Sequence, residues 1–232
     1  AVLSAKDPDE NRFSIQSHID DTLRAGAGLC RVDIVRKTVM SASKAAEELI
    51  DIGVPFDRDE KNPNQIFFTR EGGHSENRIL HVADATGRSL EEYELKEVRC
   101  VNHIQILENY VAIDLLTQHH IEGYELKDDE TIECYGAYAY NEFEDSVVTI
   151  LADITIIASG GIGQIYQHTT NPVVATGDGI AMGYRAGTRV ANMEFIQFHP
   201  TTLYEPSNVG EAFLITEALR GEGALLRLKE GT

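Results

Sequence analysis

Thr155-Ile-Ile-Ala-Ser-Gly-Gly161 is followed by Gly177-Asp-Gly179 and then by Glu194-Phe-Ile-Gln-Phe-His-Pro200. An apolar run enters glycines, a second glycine pair stands at what reads as the head of a helix, and an aromatic segment delivers a histidine beside a proline. That order reads as a nucleotide site leading to a substrate site. Asp153 to Ala158 is apolar enough to predict a strand buried on both faces of a sheet. In open α/β sheets, ligands lie beyond the carboxyl ends of such strands.

Ser159, Gly160 and Gly161, with Gly163 behind them, allow backbone to pass close to a bound nucleotide, although tight turns use the same residues. Asp178 sits between two glycines at the start of a predicted helix that runs to Arg185 and stops at Gly187. An aspartate there can cap the helix or accept hydrogen bonds from the hydroxyls of a nucleotide, and the two roles are compatible.

Upstream of this stretch the pattern is of strands. Ile104 to Leu116, Thr131 to Tyr140 and Ser146 to Leu151 are predicted as three strands in a meander. The polar run Lys127 to Glu130 and the polar turn Asn141 to Asp145 separate them. Further upstream the periodicity becomes helical. Ala1 to Arg12 is charged and is expected to be irregular. Ile15, Ile19 and Leu23 predict a helix from Ser14 to Ala25 stopped by Gly26-Ala-Gly28. Asp33 is expected to cap a second helix carrying Val35, Val39, Ala42, Ala46, Leu49 and Ile50 and ending at Gly53. Gly26 and Gly28 end a helix, whereas a dinucleotide fingerprint follows a strand and begins one. A further helical pattern covers Ser89 to Val101.

Thr69-Arg-Glu-Gly-Gly-His-Ser75 places two glycines between a carboxylate and an imidazole, with Arg78, His81 and Arg88 close behind. A site loop and a polar surface turn both fit these residues.

Composition bounds the rest. The 232 residues are 42% hydrophobic, a globular composition large enough for a real core. Twenty basic against 38 acidic residues leave a net charge of −18, which argues against a nucleic-acid or anionic-membrane partner. Cys30, Cys100 and Cys134 show no metal or redox spacing and are expected to be buried free thiols in a reducing cytoplasm. No run approaches a membrane span, and no signal peptide is expected.

Several motifs, in one order, carry a resemblance. Ala158-Ser-Gly-Gly161, Tyr166-Gln-His-Thr-Thr-Asn-Pro172, Gly177-Asp-Gly-Ile-Ala-Met182, Arg185-Ala-Gly187, Phe198-His-Pro-Thr201 and Thr216-Glu-Ala-Leu-Arg-Gly-Glu-Gly-Ala224 resemble the flavoprotein family of fumarate reductase, succinate dehydrogenase and L-aspartate oxidase. Thr69 to Ser75 and His81-Val-Ala-Asp-Ala-Thr-Gly87 resemble the L-aspartate oxidase branch, where the succinate and fumarate enzymes carry a loop resembling Phe-Gly-Gly.

The resemblance implies an α/β fold: a partial Rossmann-like FAD-binding domain with the β-meander over residues 1–193, and the beginning of an α+β capping domain over 194–232. It implies FAD as cofactor, a dicarboxylate substrate (L-aspartate, oxidised to iminoaspartate for NAD biosynthesis) and oxygen or fumarate as acceptor. Backbone contact to FAD is implied for Val111 and Ala112, nucleotide contact for Ser159, Gly160, Gly161 and Asp178, and contact to a substrate carboxylate for His199, Thr216 and Glu217. Glu217 is awkward beside a carboxylate as an anion and suits an orienting role, and Arg220 with Glu222 reads as a structural ion pair. Glu71 is the residue an aspartate enzyme needs, an anion where the substrate ammonium sits. The family's GxGxxG turn and its proton-transfer arginine match nothing in these residues. The sequence is therefore expected to be an internal fragment that by itself holds FAD weakly or not at all and has no turnover, with no residue here assigned a catalytic role and none a metal.

Overall fold

The computed structural model describes residues 8–71, 73–83, 85–125, 131–203, 210–216, 219 and 223–228. They belong to two compact units, one of residues 1–105 with 216–232 and one of residues 106–215.

The first unit is built on three helices, α1 (Pro8–Ala25), α2 (Val32–Asp51) and α3 (Thr86–Arg99). The predicted stripes are the buried ones: Ile19 on α1 is 2% exposed, and Val39 and Ala46 on α2 are buried. Two expectations need correction. Helix α1 begins at Pro8, inside the stretch expected to be irregular, because proline's fixed φ suits a first helical turn and its missing N–H has no partner to lose there. Asp33 is not the cap of α2. Arg31 stands at the N-cap without a side-chain cap bond, while Asp33, inside the first turn, pairs with the Arg31 guanidinium at 2.9 Å. A carboxylate in that turn opposes the exposed N–H groups electrostatically without capping them. Gly53 follows α2 with φ +92°, which lets the chain leave in a left-handed step. Helix α3 starts three residues before the predicted Ser89.

Between α2 and α3 the chain folds back in short antiparallel bridges, Arg58 with Ile66 and Thr69 with Ile79. One buried cluster ties this connection to α1. Asp21 and Arg78 are 5% and 3% exposed, with the guanidinium Nη1 2.7 Å from the Asp21 carboxylate. The same carboxylate accepts the Ser75 N–H at 2.9 Å and the Ser75 hydroxyl at 2.7 Å. The Arg78 hydrogen bond, followed by those from Ser75, holds the Asp21 carboxyl far below the usual carboxylate range.

In the second unit the meander is present as predicted: β1 (Tyr110–Thr117), β2 (Cys134–Asn141) and β3 (Ser146–Leu151), antiparallel in the order β1-β2-β3. Strand β1 begins later than Ile104 because Asn109, with φ +60°, turns the chain just before it. Gly136 lies where a Cβ would run into the Ile150 carbonyl, so only glycine lets β2 and β3 approach there. Helix α4 (Asp178–Arg185) follows Gly177, at φ +80°. Arg185 fastens the far end of α4 to β1, donating to Asp114 at 2.8 Å and to the Ile113 carbonyl at 3.0 Å. Burial raises the Asp114 pKa, but the hydrogen bonds from Arg185 and the Leu115 N–H outweigh it and leave the group below its ordinary value.

The predicted strand Asp153 to Ala158 is not a strand among the described residues. Its alternate side chains Ile154 and Ile156 are 80% and 83% exposed. A strand exists only as a member of a ladder, and no described strand pairs with this segment. What the segment does touch is α4: a Cβ on Gly179 would run into the Ser159 hydroxyl and lie 2.5 Å from Ile157. A pair of two-residue strands, β4 (His168–Thr169) and β5 (Gly210–Glu211), runs parallel; strands this short leave no periodicity for a sequence to show.

Two predictions follow from these contacts. Gly179→Ala is expected to lower stability by ~1–3 kcal/mol, as overpacking does. Gly183→Ala, whose Cβ would meet nothing nearer than 3.8 Å, is expected to gain up to ~1 kcal/mol of helix propensity. Calorimetry of the two variants checks the difference in sign. The depressed pKa of Asp21 sets the pH dependence: its stabilisation is complete above the unfolded carboxylate value near ~4 and is lost as pH falls from there towards the folded value. Melting curves between about pH 5 and pH 2 are therefore expected to fall more steeply for the parent than for Asp21→Asn.

Candidate functional site

All the residues expected to meet FAD lie in the second unit. Gly160 has φ +75°, and a Cβ on Gly160 or Gly161 would meet nothing within 4 Å, so the backbone there is open to a ligand. The Gly161 carbonyl accepts the Gly177 N–H at 3.1 Å, which joins the glycine turn to the start of α4. Asp178 is the first residue of that helix, and the cap position belongs to Gly177, which makes no side-chain cap bond. The capping role thus falls away. The Asp178 carboxylate accepts the Thr176 hydroxyl at 2.8 Å and is otherwise exposed. Val111 and Ala112 are exposed residues of β1, paired with Tyr140 and Ala139 on β2. The register shifts just after them, between Ala112 and Asp114.

His199 lines a cleft of about 230 Å³ in the same unit, with Tyr166, His168, Asn171, Phe198 and Thr202 among its neighbours. Its ring is held by its own loop: Nδ1 lies 2.8 Å from the Thr201 carbonyl oxygen and 3.2 Å from the Thr201 nitrogen. In either tautomer Nδ1 is engaged with Thr201, so Nε2 is the nitrogen left for a ligand. The Tyr166 ring stands edge-on to Phe198, 5.0 Å between centroids. The sequence marked Tyr166 as part of a motif but gave no sign that it steadies the residue beside His199, because ring contacts across the chain leave no spacing to count.

Glu71 lies in the first unit, in the loop that Asp21 anchors. Its N–H donates to His74 Nδ1 at 3.2 Å, and the His74 N–H donates to the Glu71 carbonyl at 3.1 Å. The Glu71 side chain itself is exposed. Behind the loop is a cleft of about 330 Å³ lined by His18, Leu49, Phe56, His74, Arg78 and Leu90. Burial, then Arg78, lowers the His18 pKa and favours its neutral form. Thr216 is exposed, with its carbonyl accepting the Leu219 N–H. Glu217, Arg220 and Glu222 lie outside the described residues. The three cysteines are free but not buried as expected: Cys100 is exposed and Cys30 and Cys134 are half-buried. Among the described residues no group of side chains could hold a metal ion, and no helix is long and apolar enough to cross a membrane.

The whole chain, residues 1–232, matches the FAD binding domain family. It belongs to that family. The chain is 48% identical over 94% of its length to the L-aspartate oxidase of Acinetobacter baylyi, and spans 39% of that protein. It is also 48% identical to the Pseudomonas aeruginosa L-aspartate oxidase, covering 40% of it. A chloroplastic L-aspartate oxidase of Nicotiana tabacum is 43% identical over 92% of the chain. Among solved structures, a mutated E. coli quinol fumarate reductase FrdA superposes with a TM-score of 0.83 at 29% identity, over all of this chain and 36% of that one. The chain thus spans between about a third and two fifths of the length of the curated L-aspartate oxidases named here.

The open glycine backbone at Gly160 and Gly161 and the exposed Asp178 carboxylate are of the right chemistry for FAD. Backbone that carries no side chain can approach the nucleotide, and a carboxylate accepts from sugar hydroxyls. Because Asp178 has one neutral hydrogen-bond partner and lies at the surface, Asp178→Ala is expected to change the melting temperature of flavin-free protein by little. It is expected to weaken FAD binding by about tenfold or more, as loss of a charge-assisted hydrogen bond does. Titration of flavin fluorescence alongside a thermal melt separates the two effects.

Proposed function

We propose that this chain is part of an FAD-dependent L-aspartate oxidase, which converts L-aspartate to iminoaspartate in NAD biosynthesis, with oxygen or fumarate as electron acceptor and the cytoplasm as its compartment. In this reading Val111, Ala112, Ser159, Gly160, Gly161 and Asp178 meet FAD, while His199, Thr216 and Glu217 meet the substrate. Residues 1–193 are then the FAD-binding part, of Rossmann-like ancestry, and 194–232 begin the capping domain. Sequence identity to L-aspartate oxidases and the chemistry of the glycine turn support it. Bound FAD supplies the acceptor for the two electrons that leave the substrate.

This chain's own part is to bind and orient. His199 is fixed through Nδ1. When Nδ1 accepts the Thr201 N–H, the ring proton is on Nε2. When Nδ1–H donates to the Thr201 carbonyl, a second proton makes Nε2 a donor as well. A substrate carboxylate favours both protonated-Nε2 forms, so His199 serves as a donor to an anion.

The observation that carries the choice of substrate is the exposed carboxylate of Glu71, on a turn closed by two hydrogen bonds. Aspartate differs from succinate by an ammonium group, and an anion placed against it favours aspartate, while succinate gains nothing from it. The likeness to fumarate reductases, at 29% identity, favours the dicarboxylate chemistry shared by both branches; Glu71 separates them. In the full-length protein, Glu71→Gln is expected to lower kcat/KM for L-aspartate by about tenfold to a hundredfold, the worth of a charge-assisted hydrogen bond of roughly 1.5–3 kcal/mol. Fumarate reduction is expected to change much less. Steady-state kinetics on both substrates decides it, and equal losses would remove the reason for preferring the aspartate branch.

A further inference from the structure

We propose that His74 is a positioning residue for substrate choice: by holding the backbone of Glu71 it fixes where that carboxylate stands, and with it the preference for an amino dicarboxylate over one lacking the ammonium group. The inference rests on the reading of Glu71 given above.

The turn from Glu71 to His74 is closed twice, by the Glu71 N–H on the His74 ring at 3.2 Å and by the His74 N–H on the Glu71 carbonyl at 3.1 Å. Gly73, at φ +91°, supplies the left-handed step that this closure needs. The next residue, Ser75, is fixed to the buried Asp21 carboxylate through both its N–H and its hydroxyl. Its hydroxyl also lies 2.9 Å from that of Ser17, on α1. The same helix reaches the loop once more, where Ser14 donates to Glu76 at 3.3 Å. His74 therefore stands between a buried, hydrogen-bonded anchor and an exposed acid, and its ring links the first to the backbone of the second.

To accept from Glu71, Nδ1 must present its lone pair, so the ring proton is on Nε2. Any side chain lacking an acceptor at this point frees the Glu71 N–H to water and lets the carboxylate wander. A charge discriminates between substrates only while it is close to the charge it reads, and a displacement of ~1 Å at a reacting site can cost on the order of a hundredfold.

The test uses the full-length enzyme. His74→Leu removes the acceptor. His74→Asn restores one, because its Oδ1 is attached at the same distance from the backbone as Nδ1. The ratio of kcat/KM for L-aspartate to that for fumarate is expected to fall about tenfold in His74→Leu, the scale of one lost hydrogen bond, with KM for aspartate carrying most of the change. In His74→Asn the ratio is expected to return to within about threefold of the parent, with melting temperatures of the two variants alike. Should His74→Leu fail to accumulate, His74→Gln, whose acceptor stands one carbon further out, takes its place with the same expected fall. Equal losses on both substrates, or a His74→Asn enzyme as impaired as His74→Leu at the same melting temperature, would overturn the proposal. If Glu71→Gln shifts the ratio and His74→Leu does not, the positioning role alone is wrong. If Glu71→Gln leaves the ratio unchanged, the reading of Glu71 fails and this role fails with it.

Discussion

The first unit depends on one buried carboxylate. Asp21 leaves water on α1 and is compensated by the Arg78 guanidinium and by two donors from Ser75. Removing two charges from water is costly, and the return is large only when the lone pairs are met with good geometry. Here one oxygen of Asp21 takes three of these donors, and the other is within 3.3 Å of Arg24. A buried pair of this kind is a weak source of net stability but a strong source of uniqueness, since any other register of the loop against α1 would leave a charge buried without its partner.

The second unit solves a similar problem largely by removing side chains. Close approach is enforced by absent side chains: Gly136 where β2 meets β3, Gly179 where α4 meets Ser159 and Ile157, and Gly177 where the helix start meets Ile162. A Cβ at any of these would overlap a neighbour. Backbone fixed by such contacts has little freedom to relax, and the glycine turn at Ser159 to Gly161 inherits that rigidity through the hydrogen bond from Gly177 to the Gly161 carbonyl. Arg185 adds a polar clamp at the opposite end of the same helix.

What was legible in the sequence was local. Ser146 to Leu151 alternates and is bounded by turn residues, and it is β3 residue for residue. Helix α4 carries a glycine before it and another after it, and both bounds are as expected. Asp153 to Ala158 was misread because an apolar β-branched run reports a preference for burial, whereas a strand also needs a partner, which composition cannot supply. Asp33 was misread as a cap because a carboxylate near a helix start fits both the cap and the first turn. The Asp21–Arg78 pair joins residues far apart in the chain, and neither residue is unusual in its own neighbourhood. The same holds for the candidate site. Glu71, His199 and Asp178 were visible because they sit in motifs, while His74 and Tyr166, whose importance lies in what they hold, became visible only as geometry.

The loop from Glu71 to Arg78 shows why a selective acid and a structural acid differ in their surroundings. Asp21 is buried, satisfied on every side and held in its ionised form far below the usual range; an acid so saturated has nothing left to offer a ligand. Glu71 is exposed, and its main chain rather than its carboxylate makes the hydrogen bonds that close the turn. Its charge therefore remains available, and its desolvation is deferred until a cation arrives to compensate it. Dividing the work in this way, with rigidity from a buried acid and recognition from an unspent one a few residues from its anchor, permits a charge to be both well placed and free to bind. The two demands conflict in any single carboxylate, because each hydrogen bond that fixes it also lowers what it gains from a substrate.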